Sequence, residues 1–376
     1  MRIGIYTQPL RYNYGGLLQA WALQTVLKRM GHNVVTFNPD QYKHISWKLK
    51  PFVYTKRFAT RLLGHPTEIR REARLNREHD IKMQNLKPFI DANINSKTFK
   101  DAKELSSKDY DILIAGSDQV WRPKYNHTFG RTIENAFFEF ASEWNIKRIA
   151  YAASFGSDEW EFTKEQTERC KQLAKKFDFI SVREESAITL CREYLDVTAV
   201  HVLDPTMLLI REDYEKLITN GQPTRRPAGN LLCYILDETD DKNLLIKQIA
   251  ENKDLTPFRA HSRVFTKGVA LEDTIQPPVE QWLRNFKEAE FVVTDSFHAC
   301  VFSIIFDKPF VVIGNKDRGM ARYKSLLKNL SLEKHLLLSS HDFDNNYSYE
   351  ISVETSKLIN NHRALSMKLL SESLRS

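Results

Sequence analysis

Short runs of apolar, often β-branched residues recur along this chain, and each is followed by glycine or polar residues and then by a stretch with helical spacing. That alternation most constrains the fold, because strands alternating with helices build parallel sheets with helices packed on both faces. The spacing predicts strands at 3–6, 34–37, 111–115, 148–153, 179–182 and 200–203, with helices over 17–30, 163–176 and 184–195. Residues 211–230 are polar and hold Gly221, Pro223, Pro227 and Gly229, so they read as a boundary or linker. A second series then follows: strands at 231–236, 291–294 and 310–313, and helices near 241–252 and 322–330. A last helix is predicted over about 352–374. The expected organisation is a first Rossmann-like domain over 1–210, a second over 211–350 and a C-terminal helix over 351–376, with a cleft between two doubly wound sheets.

Composition narrows the class. The chain has 376 residues, 42% apolar and 27% charged, which suits an ordinary globular protein of two or three domains. No apolar stretch is long enough to span a bilayer, and the first residues read as a strand, not as a signal peptide. The four cysteines have neither metal-ligand nor disulfide-framework spacing. A cytoplasmic protein with no metal and no resident cofactor is therefore expected. The net charge of +7 is concentrated: residues 43–87 hold twelve Lys and Arg against four Asp and Glu. Aromatic and aliphatic residues interleave there, so this basic segment is either a solvated helical face or a contact with anionic lipid headgroups or a diphosphate. No nucleic-acid-binding motif accompanies the charge.

In doubly wound sheets ligands bind beyond the carboxyl ends of the strands, so the residues just after each strand are the candidates. After the first strand, Asn13 precedes Gly15 and Gly16 at the start of a helix. This is either a tight turn or a place where backbone N–H groups approach an anion. Gly116, Ser117 and Asp118 follow the strand at 111–115 and serve either as a helix cap or as ligand contacts. Arg183 follows the strand at 179–182; its fork either grips a phosphate or carboxylate, or pairs with Glu184 or Glu185. Asp295, Ser296, Phe297 and His298 follow the strand at 291–294, with the imidazole in the first turn of a helix. Arg318 and Arg322 lie in a basic loop after the strand at 310–313, suited either to a second phosphate or to solvent.

Six segments, taken together and in order, resemble the polysaccharide pyruvyl transferase family. They are Asn13–Leu23 (NYGGLLQAWAL), Asp111–Trp121 (DILIAGSDQVW), Ile149–Gly156 (IAYAASFG), Ser181–Ala187 (SVREESA), Leu203–Thr206 (LDPT) and Val293–Ala299 (VTDSFHA). The resemblance implies two Rossmann-like domains arranged as in GT-B glycosyltransferases. It also implies phosphoenolpyruvate as donor and a sugar hydroxyl pair as acceptor, in a cell-surface polysaccharide or its lipid-diphosphate-linked precursor. By the same resemblance His298 and Arg183 are expected as the donor-binding pair. The chemistry of the reaction in turn suggests His298 as acid or phosphate partner, Arg183 as a clamp on phosphate or carboxylate, and Asp295 or Asp118 as base for an acceptor hydroxyl. The basic segment 43–87 lies outside what the resemblance explains.

Ketal formation from an enol phosphate needs a proton on the methylene carbon, attack by one hydroxyl, loss of phosphate and ring closure by the second hydroxyl. Two other readings fit the same plan: a glycosyltransferase using a nucleotide-sugar, since fold does not fix function, and a non-catalytic membrane-surface protein using the basic segment. The Asp109-Tyr110-Asp111 triplet superficially suggests a metal motif, but it precedes its strand and so lies at the wrong end of the sheet.

Overall fold

The computed structural model describes residues 1–127, 131–263, 266, 268–314 and 319–375. Among these, the strands form two sheets, parallel throughout. The first joins β1 (Arg2–Tyr6), β2 (Asn33–Pro39), β3 (Ser96–Phe99), β4 (Ile112–Ala115), β5 (Lys147–Ala153), β6 (Phe179–Val182) and β7 (Val200–His201) in the order β3-β2-β1-β4-β5-β6-β7. The second joins β8 (Leu231–Tyr234), β9 (Pro257–Arg259), β10 (Phe291–Thr294), β11 (Phe310–Ile313) and β12 (Leu336–Leu337) in the order β12-β11-β10-β8-β9. The central strands β4, β8, β10 and β11 are buried at every position. That is why they read as unbroken apolar runs and not as alternating ones. In each sheet the strand order reverses once, between β1 and β4 and between β8 and β10. Such reversals open a crevice at the carboxyl ends of the strands.

The helices are α1 (Tyr14–Arg29), α2 (Lys50–Leu62), α3 (Arg71–Met83), α4 (Lys87–Asn93), α5 (Lys164–Ala174), α6 (Ser186–Leu190), α7 (Arg211–Asn220), α8 (Asp240–Lys253), α9 (Val279–Glu288), α10 (Phe297–Ile305), α11 (Ala321–Asn329) and α12 (Val353–Arg375). Helix α1 stops before Gly31, whose φ of +87° ends it at little steric cost. Helix α5 opens with a reciprocal cap between Thr163 and Gln166. Helix α10 is apolar nearly all round and almost wholly buried, as a helix between two domains must be.

The domains share one core. An aromatic chain runs from Trp21 of α1 to Tyr214 of α7 (5.5 Å between centroids), to Phe302 of α10 (4.9 Å), to Trp282 of α9 (5.0 Å) and back to Tyr14 of α1 (5.2 Å). The Tyr14 hydroxyl also donates to the Pro277 carbonyl at 2.7 Å. Helix α12 returns to the first domain: the Leu203 N–H donates to Ser366 Oγ, Arg363 to the Met207 carbonyl and Lys147 to the Ser373 carbonyl. This gives the GT-B-like plan, with two Rossmann-like domains and a terminal helix that crosses back.

Several predicted elements need correction. Residues 211–220 form α7, not linker. The Gly and Pro residues that marked a boundary lie just beyond it, and its face is held by an ion pair from Arg29 of α1 to Asp213 (2.7 Å). The strand expected over 200–203 is only two residues long, because Asp204 turns the chain into a 3-10 helix at 205–208. The strand expected over 231–236 ends at Tyr234.

Candidate active site

A cavity of about 530 Å³ lies where the two reversal points meet. Its wall takes Gln8, Arg11, Tyr12 and Asn13 from the segment after β1, and Asp118 and Gln119 from the segment after β4. The second domain supplies Tyr234 at the end of β8, Leu236 just after it, and Ser296, Phe297 and His298 after β10. Four strand ends from two sheets thus supply most of the wall, and the N-termini of α1 and α10 both open there. Helix N-termini favour anions through their unpaired N–H groups and dipoles. Neither Asn13 nor Ser296 caps its helix with its side chain. Among the described residues, Arg11, Lys124 and Arg322 line the space against one carboxylate, that of Asp118, so this part of the wall is net cationic.

Beneath this wall lies a buried charge cluster centred on Asp204. Arg183 donates to Asp204 Oδ2 at 2.8 Å and stands 3.5 Å from Asp118 Oδ1. His298 Nε2 is 3.7 Å from the same Asp204 oxygen, an ion-pair distance and not a hydrogen bond. Ser117 Oγ donates to Oδ2 as well (3.0 Å), and Oδ1 accepts from the Thr206 N–H and hydroxyl. Burial works against ionisation of Asp204, yet His298 and Arg183 outweigh it and hold the carboxyl far below its usual range. Burial likewise opposes ionisation of Asp118, but Arg183, His298 and Arg322 lower its pKa. For Arg183, the loss of hydration is more than offset by Asp204, Asp118 and Glu184, so its charge is reinforced. Arg322 is the contrasting case: burial and then the nearby Arg183 charge lower its pKa. Both guanidiniums stand over the Phe297 ring, at 4.7 and 5.3 Å from its centroid, a cation–π arrangement that holds two like charges near one another.

The candidates from sequence therefore separate into layers. Asn13, Gly15, Asp118, Ser296, Phe297, His298 and Arg322 meet at the cavity. Arg183 stands one layer behind: its side chain is 1% exposed, and the Asp204 carboxylate occupies the space between it and His298. Ser117 supports the same carboxylate from behind. Gly116 lies against Ile5, Thr7 and Leu23 under the sheet, and Gly16 lies over the Asn13 side chain, so neither forms the wall. Asp295 does not reach the cavity either. Its carboxylate accepts from the N–H groups of Leu236 (2.7 Å) and Asp237 (3.0 Å) and from Lys242 Nζ (2.8 Å), which removes the motive for treating it as a base. Its work is to fix the turn after β8 beside β10. Arg318 lies outside the described residues. Asp109 and Asp111 pair with Lys97 and Arg2 at the amino end of the first sheet, away from the site.

Sequence reasoning did not single out Asp204, Arg11, Tyr12, Gln119 or Trp282. Asp204 could have been found by the same rule as Arg183, since it follows β7 and lies within the Leu203–Thr206 segment. No group of side chains able to hold a metal ion occurs among the described residues. All four cysteines are buried, and burial pushes the thiols of Cys191 and Cys233 up to about 12, which fits inert core positions.

No curated protein matches the sequence. Solved structures of similar shape include UDP-GlcNAc 2-epimerase from Neisseria meningitidis, at 9% identity, 100% coverage of this chain, 99% of that one and a TM-score of 0.48. UDP-GlcNAc 2-epimerase from Methanocaldococcus jannaschii is similar at 13% identity, 96% and 91% coverage and a TM-score of 0.45. Arabidopsis thaliana UGT89C1 complexed with UDP-L-rhamnose follows at 11%, 97% and 94%, and 0.47. Likeness at these scores carries no argument about activity. The family comparison does: the model for polysaccharide pyruvyl transferase matches residues 13–317, which run from the Asn13 turn past the His298 helix, and the chain belongs to that family.

Proposed function

We propose that this protein transfers the pyruvyl group of phosphoenolpyruvate to a pair of sugar hydroxyls, forming a cyclic ketal and releasing inorganic phosphate. The observation that carries the reading is the meeting of His298, Arg322 and the two helix N-termini at one cationic cavity, backed by the Arg183–Asp204 pair. A small donor with a phosphate and a carboxylate complements such a wall. The aromatic side chains Tyr12, Tyr234 and Trp282 line the same cavity and suit the apolar face of a sugar. The acceptor in this reading is carried on a lipid diphosphate, which places the protein peripherally at the inner face of the membrane.

In this mechanism His298 delivers a proton to the methylene carbon, and the carbon that bears the phosphate becomes oxocarbenium-like. One sugar hydroxyl adds to that carbon and gives up its proton to a base, for which Asp118 is the carboxylate on the wall. Phosphate then leaves, and the second hydroxyl closes the ring. Of the two hydroxyl protons, one replaces that given to the methylene and the other departs with phosphate. Arg322 meets the anionic groups of the donor. Arg183 acts through Asp204 as a positioning residue that holds His298 and Asp118 in register.

Incubating the protein with phosphoenolpyruvate and a panel of lipid-diphosphate sugars tests this. The expected result is phosphate release that depends on both substrates and a product heavier by one pyruvyl ketal. Release of a nucleoside diphosphate from a nucleotide-sugar, with no use of phosphoenolpyruvate, would instead identify a glycosyltransferase.

A further inference from the structure

Six of the fourteen large hydrophobic side chains that are exposed among the described residues fall within residues 47–63: Trp47, Leu49, Phe52, Phe58, Leu62 and Leu63. Single exposed hydrophobics need no explanation, but a contiguous group marks a contact surface. No residue of α2 is buried. Phe52, Ala59, Leu62 and Leu63 lie at i, i+7, i+10 and i+11, which puts them on one face of the helix, with Phe58 at its border. The other side turns to α3, where Arg57 forms a two-pronged pair with Glu72 (2.7 Å to each oxygen) and also donates to the Ile69 carbonyl. The insert thus spends its polar side on internal contacts and leaves its apolar side outward, the reverse of an ordinary surface helix.

Charge decides what covers that face. From Lys43 to Leu63 the chain has six Lys and Arg and no Asp or Glu. A second copy of this chain would bring the same positive field against it and be repelled. Exposed Trp, Phe and Leu ringed by Lys and Arg is the composition of helices that lie in the plane of a membrane surface. We infer that α2 is an interfacial anchor, seated with its Phe52–Leu63 face and the preceding Trp47 and Leu49 in a bilayer rich in anionic headgroups. The loop that leads to the anchor passes the cavity: it follows β2, and Gln41 Nε2 donates to the Leu10 carbonyl (2.9 Å), next to Arg11 and Tyr12 of the wall. Docking itself needs no assumption about the chemistry. Its use, presenting the cavity to a lipid-linked acceptor, rests on the pyruvyl-transfer reading.

The test uses the full chain with vesicles of phosphatidylcholine, alone or with phosphatidylglycerol as a major component. Flotation with the anionic vesicles only, reversed by high salt, is expected. Binding should weaken by about tenfold or more in the F52S/L62S/L63S variant, whose substitutions remove apolar contact and leave every charge in place. Trp47 is 77% exposed, so vesicles should shift tryptophan emission to the blue, and Trp47→Phe should abolish most of that shift. The thermal midpoint of the triple variant, and its turnover of a water-soluble acceptor, should match the unaltered protein. Failure to bind anionic vesicles, or equal binding by the triple variant, would overturn the inference. So would sedimentation showing that the protein self-associates through this face and becomes monomeric in the triple variant. If no pyruvyl transfer is found with any acceptor, the vesicle measurements still decide the anchor alone.

Discussion

The imidazole of His298 lies against the backbone of Gly15, so close that a β-carbon at position 15 would overlap Nδ1 and Cγ of the ring. Gly15 belongs to the first turn of α1 in the first domain, and His298 to the first turn of α10 in the second. The glycine is therefore required by a contact made across the domains and not by its own backbone conformation.

Gly15→Ala separates positioning from stability. Alanine gains about 1 kcal/mol of helix propensity over glycine, while overpacking against a buried ring costs about 1–3 kcal/mol, so the net destabilisation is at most about 2 kcal/mol, too little to unfold a domain of ordinary stability. The ring must move, and a displacement of about 1 Å at a reacting group can cost on the order of a hundredfold in rate. The expected outcome is a folded protein with kcat reduced by about that factor. Circular dichroism and phosphate-release kinetics measured on the same preparation check it, and an alanine variant with unaltered kcat would show that the contact does not position the acid.

His298→Ala and His298→Gln remove the proposed proton donor while leaving α10 a good helix. General acid–base assistance is worth roughly 10²–10⁴-fold, so turnover should fall at least about a hundredfold in both variants. The fold should survive, because the ring lines a cavity and its loss creates no sealed void. Single-turnover measurements with phosphoenolpyruvate check the chemical step, and near-full activity in either variant removes His298 from the mechanism.

Asp204→Asn tests the buried cluster. Asparagine keeps the shape but leaves the Arg183 guanidinium with Asp118 at 3.5 Å as its nearer remaining carboxylate. Breaking a buried pair from one side costs roughly 3–5 kcal/mol, because the surviving charge stays buried, and Asp118 keeps the cost at the low end. A double variant, D204N with Arg183→Met, should lose less than the sum of the two single losses, since the stranded charge is gone. Denaturant unfolding of the four proteins gives the coupling. Strict additivity would mean that the pair is not a unit.

The strands were legible where burial on both faces forces unbroken apolar runs, as in β4, β10 and β11. The missed strands β3 (SKTF), β9 (PFR) and β12 are short and lie at or beside sheet edges, where one flank meets no further strand and the apolar signal fades. Helix α7 was hidden by the Gly and Pro residues just beyond it, which punctuate the chain more loudly than its ten residues. At the site, the strand-end rule placed His298, Asp118 and Asn13 on the wall, because it concerns where loops lie. It could not show which way a side chain turns. Arg183 and Asp295 obey the rule and yet face inward, one onto Asp204 and the other onto amides of residues 236 and 237. Those partners lie 21 and about sixty residues away in sequence, so only the folded sheets reveal the pairing.

His335 gives the stability of the second domain a predictable dependence on pH. Its ring is fully buried among Phe310, Tyr347 and Tyr349, and Nδ1 donates to the Phe310 carbonyl at 2.9 Å. A second N–H, on Nε2, would meet no hydrogen-bond partner among the described residues; burial lowers the pKa from 6.5 to about 4, with the Phe310 carbonyl acting in the opposite sense. The neutral form is thus the one the fold favours. Below pH 6.5 the unfolded chain takes up a proton at this position, and the folded chain does not until the pH nears 4. Stability is therefore fully present above 6.5 and falls as the pH drops through that window, by up to about 1.4 kcal/mol per unit from this one group. His335→Gln keeps an amide N–H for the Phe310 carbonyl and cannot titrate. Its thermal midpoint should start lower at neutral pH, because a shorter and more polar side chain packs less well against the rings. It should then fall less steeply than that of the unaltered protein between pH 6.5 and 4. Parallel slopes for the two proteins would assign the acid sensitivity in this window to other buried histidines, beginning with His201 and His261, whose pKa burial also lowers.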